Sequence, residues 1–194
     1  MLDAGSTSRF DMIFTPRSLV LIAIIAGAIG VRLFMHFFPG VLPWNFSPVL
    51  AVALFGGACF SDRRLALLVP LAIMLVADLI IGLHAMMPVV YLCLAATVLL
   101  GSGLLKGRLG VMRVALAAVG SATGFYLVTN FAVWLTSGMY PLSGSGLMAS
   151  YAAGLPFYQY GSLPGTVLWS AVLFGGFALL SWRFPALETR AQTA

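Results

Sequence analysis

Long apolar blocks recur along the chain, at about residues 18–38, 46–60, 65–83, 88–105, 114–136 and 164–183, with short polar connections between them. A helix needs roughly 20 apolar residues to cross a hydrocarbon core about 30 Å thick. In lipid, helical backbone also satisfies its own hydrogen bonds. The pattern therefore predicts an all-α fold: an integral membrane bundle of six transmembrane helices, forming one domain over 1–194. The second block, FSPVLAVALFGGACF, is short for a crossing and contains Gly56-Gly57. It is expected to tilt, to thin the membrane locally, or to be extended by Pro43-Trp44-Asn45.

Two stretches fall outside the apolar blocks. Residues 1–17 are polar with Arg9 and Arg17, and read as a cytoplasmic tail. A retained first helix is expected here and not a cleaved signal peptide, because the apolar run that follows has full spanning length. Residues 137–163 (SGMYPLSGSGLMASYAAGLPFYQYGSL) are expected to form a long extracytoplasmic loop with a short interfacial helix near 147–155. Its four tyrosines suit either an aromatic belt or a lid over a site.

Charge sets the orientation. Arg9, Arg17, Arg63, Arg64, Lys106, Arg108, Arg113, Arg183 and Arg190 all fall on one side of an even-span topology, and Arg32 alone lies towards the other. By the positive-inside rule both termini are cytoplasmic. Composition agrees with a membrane protein: 61% hydrophobic, 8% charged and a mean hydropathy of +1.06, where a soluble domain is about 25% charged. The sequence pI of 9.7 reflects basic residues scattered at segment ends. They form no patch for nucleic acid, and the bilayer is the partner they imply. Cys59 and Cys93 both lie in apolar runs, so no disulfide framework is indicated.

Candidate chemistry is concentrated in the outer halves of the segments. Asp78 is the one acid inside an apolar run, and an ionisable residue at membrane depth is a functional-site hypothesis by default. Arg32 and His36 end the first segment on the same side, and Asn45 and Ser47 open the second. His84 closes the third, Tyr91 and Cys93 begin the fourth, and Tyr126, Asn130 and Trp134 share one face of the fifth at spacings of four. The inner halves hold little but Leu, Ala, Val, Ile and Gly. A pocket open to the outside is the simplest arrangement. Each member also has a plainer reading: Arg32 and Asp78 as an ion pair that fixes packing, Asn130 as a helix–helix bond, Cys93 as a small buried hydrophobe. Small residues at Ala23, Ala26, Gly27 and Gly30, and the spacing Gly120–Gly124, suit close helix contact.

No HExxH, GxSxG or P-loop pattern is present, and no pair of carboxylates for acid–base work. A non-enzymatic protein without cofactor is the expectation. A proton-coupled carrier using Asp78, or an enzyme using Cys93 or His84, are the other options. Internal repeat symmetry, usual in carriers, is not evident.

At Asn45-Phe46-Ser47-Pro48, Ala53 to Ala58, Val69-Pro70-Leu71 with Asp78, Thr129 to Leu135 and Leu173 to Phe177, the chain resembles a family of small bacterial six-helix membrane proteins of poorly defined function. In architecture it is similar to the substrate-binding S-components of energy-coupling-factor vitamin transporters. That resemblance implies a bacterial cytoplasmic membrane location, a vitamin-sized substrate taken from outside, and docking on an ATPase-plus-scaffold energising module through Ala23, Ala26 and Gly27. Solitary cobalamin transporters within that group coordinate cobalt through a cysteine thiolate, a part that Cys93 would take. The sequence thus points to a membrane substrate-binding or uptake protein for a vitamin or cofactor precursor. Its binding residues would be Arg32, Asn45, Asp78, His84, Tyr91, Cys93, Tyr126, Asn130 and Trp134. The alternative is a structural or assembly protein without a ligand.

Overall fold

A computed structural model gives the fold and describes residues 16–184. Residues 1–15 of the expected tail, with Arg9, and the C-terminal Arg190 lie outside the described residues, while Pro16 and Arg17 of that tail already open the first helix. Every regular element among the described residues is helical: α1 (Pro16–Phe37), α2 (Val49–Cys59), α3 (Arg63–Ile81), α4 (Met87–Leu104), α5 (Val111–Thr136), α6 (Gly144–Phe157), a π-helical turn (Tyr158–Ser162) and α7 (Leu163–Arg183). Helices α1, α3, α4 and α5 are each long and apolar enough to cross a membrane, as is the run α6–π–α7. The chain is a multi-pass membrane protein.

Helix α2 is the exception, and it organises the bundle. With 11 residues it is about 16 Å long, half the thickness of a hydrocarbon core. Leu50 through Cys59 are all buried, as expected for a helix that is apolar on every side. Its neighbours are α1, α3, α4, α5 and α7, with α4 the most extensive. Phe55 meets Phe174 and Phe177 of α7 edge-on, with ring centroids 5.2 and 5.6 Å apart. Against α4 the backbones themselves touch. A Cβ built on Gly57 would collide with the Val98 carbonyl, and one on Gly101 with the Leu54 carbonyl. Gly120 and Gly124, by contrast, have open space where a Cβ would stand. Close approach therefore uses a glycine pair on two different helices and not the GxxxG spacing within one.

The segment 137–163 differs from expectation. Only residues 137–143 connect α5 to α6, and from Gly144 the chain is helical to Arg183. Tyr151, Tyr158 and Tyr160 of this stretch belong to the helical run packed along α5, and Tyr140 lies in the connection before it. Ser143 caps this run by accepting from the Gly146 N–H. The helix changes to π geometry directly after Pro156-Phe157, where a proline inside the helix interrupts regular bonding.

At the opposite end of the bundle, Asp62 caps α3 by accepting from the Arg64 and Leu65 N–H groups at 2.6 and 3.2 Å. Lys106 Nζ donates to the Ser61 carbonyl at 2.7 Å, tying the α4–α5 connection to the α2–α3 turn. All the arginines and lysines whose side chains are described, except Arg32, lie at this end.

Candidate functional site

Because α2 starts half-way through the bundle, the chain between α1 and α2 (residues 38–48) must fill the rest of that crossing without regular structure. Non-helical backbone is tolerated at membrane depth only where protein covers it or a cavity borders it. Both conditions hold here. The π turn supports residues 44–46: a Cβ on Gly161 would collide with the Trp44 carbonyl, so only glycine permits that seat. Asn45 adopts φ 64°, in the left-handed region where Asn is tolerated and branched residues are not. Asn45→Val is expected to lower stability by about 1–2 kcal/mol and Asn45→Gly to leave it nearly unchanged, as measured by the unfolding transition in detergent.

Below this segment is a cavity of about 240 Å³ lined by Arg32, Asn45, Ser47, Val49, Leu50, Met74, His84, Val90, Phe125, Ser162 and Thr166. It shares Arg32, Asn45 and Ser47 with an outer depression of about 380 Å³ that also includes His36 and Trp44. The shared residues make the depression a vestibule to the cavity. The cavity floor is the N-terminus of α2. No side chain caps this helix closely. The Val49 N–H has only a 3.4 Å contact to Ser47 Oγ, and the first N–H to bond backwards is that of Val52, to the Pro48 carbonyl at 2.8 Å. The N–H groups of Leu50 and Ala51 thus belong to an uncapped first turn, the electropositive end of the helix dipole.

Arg32 forms one wall. Its Nη1 donates to Asp78 Oδ1 at 2.8 Å and to Met74 Sδ at 2.9 Å, two residues one turn apart on α3. Tyr91 OH donates to the other carboxylate oxygen, Oδ2, at 2.8 Å. Asp78 is 1% exposed and the Arg32 side chain 21%. The acid is therefore sealed in by its partners, while the guanidinium reaches the cavity. Among the described residues Nε and Nη2 of Arg32 have no protein acceptor. A second polar edge comes from Ser162 and Thr166, one turn apart. The Thr166 Oγ1 donates to the Ser162 carbonyl at 2.6 Å.

Eight of the nine sequence-selected residues separate into three groups, and Cys93 stands apart from them. Arg32, Asn45 and His84 line the cavity. Asp78 and Tyr91 stand behind Arg32 and orient it. Tyr126, Asn130 and Trp134 do share a face, but that face is covered by α6 and the turn before it. Tyr126 OH donates to the Tyr151 carbonyl, Asn130 Nδ2 to the Tyr126 carbonyl, and Trp134 Nε1 to the Pro141 carbonyl, at 2.7, 2.8 and 2.9 Å. Ser150 Oγ in turn donates to the Asn130 carbonyl at 2.9 Å. Because residues 144–157 are a packed helix, Tyr126 and Trp134 tie α6 and the turn before it to α5, the Asn130 side chain faces Gly154, and none of the three is in the cavity wall. Cys93 is buried and is likewise not a lining residue. No cluster of three His, Cys, Asp or Glu suited to a metal occurs among the described residues.

Ser162, Thr166 and Phe125 were missed by sequence reasoning. The i, i+4 pair Ser162–Thr166 is a helical signal, hidden because 137–163 reads as a loop. Comparison with curated proteins and with solved structures gives no match. Residues 12–187, most of the sequence, match one protein family, described as "Family of unknown function (DUF6580)". The chain, with its half-length α2 and the cavity above it, belongs to the DUF6580 family.

Proposed function

We propose that the protein binds a small molecule in the cavity above α2 and serves its uptake from the extracytoplasmic side. The observation that carries this reading is a polar-lined cavity at a broken membrane crossing, with an access vestibule and an uncapped helix N-terminus as its floor. Discontinuous transmembrane helices of this type present their N-termini to anionic groups of substrates. The ligand this chemistry favours has an acidic or strongly accepting group for Arg32 and the α2 N–H groups. Its small apolar body would rest against Met74, Val90 and Phe125. At about 240 Å³ the cavity lies just below the roughly 300–1,000 Å³ of drug-sized pockets. A vitamin or cofactor precursor with a single small ring fits that scale. A corrin is far larger, and Cys93 does not line the cavity, so the cobalamin option loses its support.

The S-component likeness extends this reading to a partner. Ala23, Ala26, Gly27 and Gly30 are all exposed on α1, leaving a smooth face on which an energising module would dock. The bacterial cytoplasmic membrane is the setting that this role and the distribution of basic residues favour. No catalytic role is assigned, since the buried carboxylate is already held by Arg32 and Tyr91.

A second reading, a ligand-free structural or assembly protein, is favoured by one observation: Asp78, Tyr91, Tyr126, Asn130 and Trp134 all bond within the protein. Mass spectrometry of small molecules extracted from protein purified from its native host separates the two. The uptake reading expects a stoichiometric compound from the wild type and none from Val90→Trp, which fills the cavity from α4 while keeping the folding transition. An empty wild-type protein whose melting no vitamin shifts would establish the scaffold.

A further inference from the structure

Two hollows meet at the basic end of the bundle, away from the cavity above α2. One, of about 610 Å³, lies between the end of α2, the α4–α5 connection and α7, and Lys106 and Ser181 are among its walls. The other, of about 490 Å³, is a nearly hydrocarbon-lined groove between α5 and α7 that includes Val114 and Gly175. Both hollows include Leu109, Phe174 and Ala178. The two adjoin as one depression, with its few polar groups at the bundle end and an apolar stretch along the membrane-facing side.

We infer that this depression binds an acidic phospholipid, with its phosphate beside Lys106 and one acyl chain along the α5–α7 groove. Charge complementarity selects that occupant. Lys106 uses one of its three hydrogens on the Ser61 carbonyl and keeps two for an anion. Arg108 is exposed next to Gly107, itself a lining residue, and Arg63 and Arg64 are exposed on the first turn of α3. Against these stands Asp62, whose Oδ1 accepts the α3 cap bonds. The Ser181 hydroxyl is buried with no partner among the described residues, and the glycerol ester carbonyl of a lipid is the acceptor this depth supplies. A free anion would leave the apolar groove empty, and a neutral hydrocarbon would leave the cations unmatched. Only a molecule with both parts fills the whole depression. Basic pockets between transmembrane helices recognise anionic headgroups in this way.

Native mass spectrometry of the detergent-purified chain, with phosphatidylglycerol and phosphatidylcholine of matched acyl chains, tests the inference. The wild type is expected to retain one phosphatidylglycerol in preference to phosphatidylcholine. Arg108→Gln and Lys106→Gln should each lower that retention about fivefold. Gly175→Leu, which fills the groove and keeps every charge, should lower it as well. Arg108 is exposed, and no Cβ contact opposes a side chain at Gly175, so both variants should keep the wild-type melting transition. Equal retention of the two lipids, retention unchanged in Arg108→Gln and Gly175→Leu, or displacement by excess inorganic phosphate would each overturn it.

Discussion

Asp78→Leu is expected to destabilise the protein by about 3 kcal/mol, and the double variant Arg32→Met/Asp78→Leu to recover most of that loss. Removing one partner of a buried pair leaves the other uncompensated, which costs roughly 3–5 kcal/mol, whereas replacing both by apolar groups is near neutral. The lower end applies because the Arg32 side chain is 21% exposed and regains some hydration from the cavity. Tyr91→Phe, which removes the second bond to the carboxylate, should cost about 1.5 kcal/mol. A double-mutant cycle on unfolding in detergent measures all three. A loss in the double variant equal to the sum of the losses in Asp78→Leu and Arg32→Met alone would show that the pair does not couple. The same double variant should lose ligand binding, because Arg32 lines the cavity and Asp78 holds it in place. Asp78 is thus a positioning residue that acts through Arg32.

Gly57→Val and Gly101→Val form the second large prediction. Each introduces a side chain whose Cβ would overlap the facing α4 or α2 backbone. A backbone carbonyl, unlike a side chain, has no alternative rotamer to relieve the overlap. Overpacking usually costs about 1–3 kcal/mol, and these two positions should reach or exceed that limit and reduce the yield of folded protein. Gly103→Ala is the matched control. A Cβ there meets nothing within 4 Å, and the gain in helix propensity should stabilise the chain by about 0.5–1 kcal/mol. Melting temperatures and folded yield of the three variants, measured together, check the ordering.

Much of the fold was legible in the blocks of apolar residues, because spanning length is a coarse requirement that composition alone meets. The observed helices begin and end within a few residues of those blocks. What the pattern hid was continuity. A short helix was expected only near 147–155 within a loop, yet Ser143 caps a helix from Gly144 and the chain accommodates Pro156 by passing into a π turn. That error propagated to the site. With a loop assumed over 137–163, the face Tyr126–Asn130–Trp134 looked free for a ligand, when it is the seat of α6. Asp78 was legible because an acid in an apolar run is conspicuous, and so was its pairing with Arg32 as one of two options. Ser162 and Thr166 were not, since hydroxyls in transmembrane helices commonly bond to their own backbone, and nothing local marks those that also border a cavity.

The account rests on a broken crossing that leaves the cavity open at the end opposite the basic residues. Thr166 is 1% exposed and lines the cavity, so a thiol placed there reports on its access. Thr166→Cys, in a chain with Cys59 and Cys93 replaced by alanine, is the measurement to make, using a membrane-impermeant thiol reagent on sealed vesicles of known orientation. The account predicts labelling from the extracytoplasmic side alone, and none at Ala118→Cys, a buried position outside the cavity. Labelling only after the membrane is dissolved, or only from the side of the basic residues, would contradict it.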